Sequence, residues 1–110
     1  MTTALKALAA LALSTGLLSP ASAALLATAS QVANLRIEGS AGFIGMTQPF
    51  TQPHGCGSGT RVWVDMNNPI GRAAYASAMM AYAMKLPVTI RAFEDSGKVF
   101  GECQLYDIFY

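Results

Sequence analysis

Residues 54–65, HGCGSGTRVWVD, place the chain's single histidine just ahead of one of its two cysteines, in a glycine-rich loop that runs into an apolar strand pattern. Three chemistries compete for Cys56: a nucleophilic thiol, a metal ligand, or half of a bridge to Cys103. A catalytic thiol needs a base held in a defined place, and His54, two residues away in a flexible loop, is poorly held. Zinc takes about four ligands, more than one His and two Cys supply. A Cys56–Cys103 bridge would close a loop of about 48 residues, worth roughly 4 kcal/mol by the chain-entropy relation. The choice between bridge, redox thiols and metal turns on the redox compartment.

The compartment is written at the N-terminus. MTTALK, ALAALALSTGLL and SPASA give one basic residue, an apolar run and a small-x-small ending at Ala21-Ser22-Ala23. That is the pattern of a secretory signal peptide cut after Ala23. Ser14, Thr15, Gly16 and Pro20 break the run, which falls short of the roughly 20 apolar residues a bilayer requires. The expected organisation is a signal peptide over 1–23 and a single small domain over 24–110, exported to the periplasm or secreted, with no membrane span in the mature protein. Exported cysteines oxidise, so the disulfide is the expected outcome.

Without Lys6, which leaves with the leader, Arg36, Arg61, Arg72, Lys85, Arg91 and Lys98 balance Glu38, Asp65, Glu94, Asp95, Glu102 and Asp107. No basic stripe exists to hold a phosphate backbone, and nucleic acid is not an expected partner.

Other catalytic patterns fail. The residues two away from Ser58 are Cys56 and Thr60, where a nucleophile elbow needs glycines. GCGSG precedes a strand instead of joining strand to helix, which rules it out as a phosphate loop. The carboxylates are scattered, and Glu94-Asp95 reads as turn chemistry. The expectation is no enzyme, no metal site and no cofactor. Binding candidates are three. Trp63 shares a strand face with Arg61 and Asp65 and could serve as an aromatic platform for a sugar, or simply lie under the Cys56 loop. Arg91 offers a planar fork to a sugar carboxylate, or is an ordinary exposed strand arginine. Ser40 sits in a turn open to ligand, or is only a turn residue.

The elements that must position these residues are mostly strands. ALLATASQ (24–31) reads as a tail or a lead-in. VANLRIE (32–38), FIGMT (43–47) and RVWVDM (61–66) alternate as strands, with a turn over 39–42 and a Pro/Gly-rich loop between the second and third. Asn68 followed by Pro69 starts a helix that runs over about 69–85 and stops before Pro87. VTIRAF (88–93) and ECQLYDIFY (102–110) are the last strands, either side of the turn EDSGK (94–98). The class is mainly β with one helix (α+β). The layout is that of an OB-fold, a five-stranded Greek-key barrel with its helix between strands three and four. In that fold the third and fifth strands are parallel neighbours, which brings Cys56 and Cys103 together. A helix laid across an antiparallel sheet is the competing arrangement.

The helix itself, PIGRAAYASAMMAYAMK, lacks a polar side. Ile70, Ala73, Ala74, Met80, Ala81 and Met84 form one stripe; Tyr75, Met79, Tyr82 and Leu86 form another roughly opposite. One covers the core. The Tyr75/Met79/Tyr82 face is the expected interface with further copies, in a dimer or a ring, unless it stays a wet surface.

A cysteine ahead of a strand, RVWVD, the tyrosine-bearing helix AAYASAMMAYAMKL, PVTIRAF and a strand entered through Cys103 together give residues 56–110 a pattern that resembles the receptor-binding B subunits of subtilase-cytotoxin type, members of the bacterial AB-type toxins. The resemblance implies an OB-fold subunit that assembles as a pentamer around its helices, binds sialylated or related host glycans, and serves a catalytic A subunit. Two functions follow as expectations: an exported, non-catalytic, self-assembling subunit that recognises a glycan or a protein partner, or a periplasmic interaction protein such as an inhibitor or immunity protein.

Overall fold

A computed structural model describes residues 25–110; the signal peptide read at 1–23 lies outside them. Six strands and one helix follow in the order β1 (Leu25–Ser30), β2 (Val32–Glu38), β3 (Ala41–Met46), β4 (Arg61–Asp65), α1 (Pro69–Met84), β5 (Val88–Phe93) and β6 (Cys103–Phe109). No helix among the described residues is long and apolar enough to cross a membrane.

The strands form one mixed sheet in the order β1-β5-β6-β4-β3-β2. All pairings are antiparallel except β4 with β6, where Val62 pairs with Cys103 and Trp63 with Gln104. The α+β class holds. The five-stranded closed barrel does not appear as such: there are six strands, and no ladder joins β1 to β2. The extra strand lies in the stretch expected as a tail or a lead-in. Leu25–Ser30 pairs residue for residue with Val88–Phe93, so its backbone groups are satisfied in a ladder instead of by water. β1 and β2 stand at the two ends of the order although Gln31 alone separates them in the chain.

β3 also begins earlier than its pattern suggests, because Ala41 and Gly42, expected in the turn, pair with Asp65 and Val64. Gly42 is there for space: a Cβ at this position would stand 2.8 Å from the Tyr75 ring and 2.9 Å from the Met66 sulfur. The missing side chain lets the helix settle on the sheet.

Alternation sends Ile44, Met46, Val62, Val64, Ile90 and Leu105 to one face, where they are buried with the two half-cystines. The helix closes this face with Tyr75, Ala78 and Ala81. Asn68 caps it, its side-chain oxygen accepting from the Ile70 N–H at 2.8 Å, with Pro69 at the first helical position. It ends at Lys85, which adopts a left-handed conformation (φ 54°), before Pro87.

Phe43 is almost fully buried yet belongs to the opposite face. It stands in register with Trp63, and the segment after β5 folds over both: Phe100 stacks on Phe43 at 5.8 Å, and the Trp63 indole N–H donates to the Gly97 carbonyl at 3.0 Å.

Candidate functional site

The cystine organises a polar recess. Cys56 and Cys103 are bonded, 5.1 Å apart at Cα and 1% and 0% exposed. The parallel β4–β6 pair sets the two strand entrances side by side, and the bridge fixes the loop before β4 against the first residue of β6. Glu102 is thereby carried under the loop. It is 2% exposed and accepts from the Arg61 Nε at 2.8 Å, the Ser58 N–H at 3.3 Å and the Ser58 hydroxyl at 3.3 Å. A side chain on Gly57 would collide with this carboxylate, which explains the glycine. Buried charge is tolerated because a cation and two neutral donors converge on it.

Above Glu102 lies a cleft of about 350 Å³ with Asn34, Ser58, Thr60 and Arg61 on its walls. Asn34 occupies the space a Gly45 side chain would take. Thr60 donates its hydroxyl to the Ser58 oxygen at 3.0 Å, and Arg61 lies over the Phe43 ring at 5.0 Å. Only the Nε of Arg61 is committed to Glu102. Its terminal amino groups, with the Asn34 amide and the Thr60 hydroxyl, suit a small ligand rich in hydroxyl or carboxylate oxygens.

His54 is turned to structure. Its Nδ1 accepts from the Cys56 N–H at 3.1 Å and its ring meets Phe50 edge-on at 6.2 Å. The Gly55 N–H donates to Glu94 at 3.0 Å, a second tie on the same loop. No cluster of three or more metal-ligating side chains occurs among the described residues.

The three binding candidates are not brought together. Ser40 is exposed in the β2–β3 turn, where its carbonyl accepts from the Met66 N–H. Trp63 is half-buried, with its indole N–H tied to the segment that follows β5. Arg91 faces outward from β5 but is held by Asp107 through two hydrogen bonds, at 2.8 and 2.5 Å, with the rings of Tyr106 and Phe109 beneath it. That hydrogen bonding and the Asp107 charge push its pKa further above the ordinary arginine range. β6 lies between Arg91 and Trp63. Of the residues in the cleft, the sequence singles out Arg61 as a hydrogen-bonding neighbour of the Trp63 platform and Ser58 as a failed nucleophile elbow, but gives no sign of Asn34. Glu102 gave one usable signal. It adjoins Cys103 as Ser58 nearly adjoins Cys56, so the bridge must bring them together.

The helix offers a second surface. Tyr75, expected on the intersubunit face, is 6% exposed and packs into the core beside Gly42, so it cannot reach another subunit. Met79 and Tyr82 remain exposed at 52% and 48%. The outward arc is in fact made by Ile70, Met79, Met80 and Met84 with exposed alanines between them, and Arg72 is its one charge.

Comparison with protein-family models, with curated proteins and with solved structures finds no match for this chain.

Proposed function

We propose that this chain is an exported, non-catalytic binding subunit of the toxin B-subunit kind, which associates with copies of itself through α1 and holds a glycan in the cleft above Glu102. The outward face of the helix carries this reading. Single exposed apolar residues are ordinary on soluble proteins, but Met80 and Met84, one turn apart, with Met79 and exposed alanines beside them and Arg72 as the one charge, make an apolar patch that water penalises. Methionine suits such a contact because its flexible, polarisable chain fills irregular surfaces.

The OB-type barrel belongs to the same proposal. Five strand spacings of about 4.8 Å would hold the outer strands of a flat six-stranded sheet roughly 24 Å apart. Ser30 and Val32 are joined by one residue, a reach of about 7 Å. A sheet rolled until β1 and β2 meet satisfies both, and the two then count as one strand bent at Gln31. One side-chain and one backbone contact at the junction support this: the Ser30 and Thr47 hydroxyls lie 3.1 Å apart, and the Thr47 N–H donates to the Gln31 carbonyl at 3.0 Å.

Sedimentation velocity of the oxidised protein, on the order of tens of micromolar, tests the assembly. The wild type is expected to sediment as an oligomer and Met80→Glu as a monomer, since a charge placed in a closed apolar contact costs several kcal/mol. A monomeric wild type overturns the reading. For the ligand, a glycan array should give binders that Asn34→Ala loses; an array without binders removes the glycan.

A further inference from the structure

A second cleft, of about 280 Å³, opens where the start of α1 meets β4, β5 and β6, and shares no residue with the cleft at the cystine loop. Its inner wall is apolar and includes Leu105. Its rim is aromatic on one side, where Tyr106 is 46% exposed and meets Phe93 edge to face at 4.9 Å.

Asp65, Asn68 and Gln104 supply the polar groups. Asp65 spends one carboxylate oxygen on the Asn67 N–H at 2.9 Å, and Asn68 spends its carbonyl oxygen on the helix cap at 2.8 Å. The second oxygen of Asp65, the amide nitrogen of Asn68 and the whole carboxamide of Gln104 have no hydrogen-bond partner among the described residues. All three residues line the one recess, which Phe93 and Tyr106 also line. Of the nearby cations, Arg91 is paired with Asp107 and lies over the Tyr106 ring at 5.1 Å, and Arg72 donates to the Met66 carbonyl at 2.9 Å.

We infer that this cleft binds a single neutral pyranose ring. A sugar ring has an apolar C–H face that lies against an aromatic side chain, and hydroxyls at its edge that both donate and accept. A carboxylate oxygen takes hydroxyl protons, while carboxamides serve hydroxyls in both senses. The volume falls at the lower end of small-ligand sites, which start at roughly 300 Å³, and leaves room for one ring and not a chain. Charge sets the class. Asp65, which forms no ion pair among the described residues, repels an anionic sugar, so the ligand is a neutral hexose or N-acetylhexosamine and not an acidic one. This inference stands apart from the glycan contact proposed at the cystine loop.

The test is a titration of the folded, oxidised, ¹⁵N-labelled protein with the methyl glycosides of glucose, galactose, mannose and N-acetylglucosamine into the millimolar range, followed by amide shifts. Saturable shifts of the Asn68 and Gln104 side-chain amides are expected with at least one of them, and none there with N-acetylneuraminic acid. Tyr106→Ala and Asp65→Asn should each weaken that binding about tenfold or more, equivalent to about 1.4 kcal/mol, while Asn34→Ala leaves it unchanged. Asp65→Asn keeps the oxygen that bonds Asn67, so it decides the matter if Tyr106→Ala fails to fold. The inference is overturned if none of the four sugars gives a saturable shift, if N-acetylneuraminic acid saturates the same amides, or if the folded variants bind as the wild type does. Shifts confined to Asn34, Thr60 and Arg61 would also overturn it and leave the cystine-loop reading intact.

Discussion

Glu102 is the residue on which the cystine-loop cleft depends. Its carboxylate holds Arg61 and Ser58 in place from beneath, so Glu102→Ala removes the shared acceptor of three donors and leaves Arg61 without its partner. Arg61 is 34% exposed at its side chain, and water recovers part of the loss. We expect a cost of about 2 kcal/mol, below the 3–5 typical of a fully buried pair, read as a lowered urea midpoint with an unchanged slope. Ser58→Ala, which removes a neutral donor to Glu102 and the acceptor of Thr60 but leaves the Arg61 pair intact, should cost under about 1.5 kcal/mol. Equal losses for the two would mean that the charge of Glu102 contributes nothing. Tyr75 gives a pH-dependent counterpart. Burial pushes its phenol above the ordinary tyrosine range, so the native state holds its proton where the unfolded chain, titrating near pH 10, has begun to release it. The native state then binds more protons, and stability falls as pH rises past about 10. Tyr75→Phe keeps the ring in the core and should flatten the decline; an identical alkaline slope in the variant would show that the phenol does not titrate in this way.

Gly71 reverses the usual rule for helices. Glycine to alanine in a helix interior ordinarily stabilises by about 1 kcal/mol. Here a Cβ would run into the backbone carbonyl of Asp65, which no side-chain rotation can relieve. Gly71→Ala should therefore destabilise, by about 1–3 kcal/mol as overpacking does, while Ala83→Gly on the open face should cost about 1 kcal/mol from propensity alone. A stabilised Gly71→Ala in a thermal melt would show that the helix can shift without loss. The helix was also the element whose position, but not orientation, was legible. Asn68-Pro69 and Pro87 mark its ends correctly, because caps and breakers act on the backbone and need no tertiary context. The stripes mislead because hydropathy ranks methionine and isoleucine above alanine and glycine. Close approach to the sheet selects small residues, so Gly71, Ala78 and Ala81 face inward around Tyr75 and the bulky apolar side chains are left outside. Strands with a clear period of two, such as Arg61–Asp65 and Val88–Phe93, were read within a residue or two of their observed bounds. Leu25–Ser30 was not, since an alanine-rich segment beside a leader shows no alternation and becomes a strand only once β5 is beside it.

The whole molecule is tied by one covalent link, which joins the loop before β4 to the start of β6, beside the strand pair that is least extensive. β4 and β6 are matched through two residue pairs, against five or six for the other neighbours. Cys56 and Cys103, the chain's two cysteines, are 47 residues apart. The sequence could suggest this bridge because export and cysteine count constrain it before any fold is known; it could not suggest the cleft, whose walls come from β2, the cystine loop, β4 and the residue before β6. Reduction removes a constraint on the unfolded chain worth roughly 4 kcal/mol, a large part of the 5–15 kcal/mol that holds a domain together. We therefore expect the reduced protein, or Cys103→Ser, to lose a few kcal/mol in urea unfolding. Both half-cystines are also shielded by the core, at 1% and 0% exposure, so a thiolate reaches the bond only when the strands around it part. Under native conditions dithiothreitol should cleave it at a rate that rises with urea in step with global unfolding. Cleavage that is fast in buffer and indifferent to urea would mean that the cystine loop opens on its own, and that the cleft above Glu102 is not a fixed part of the fold.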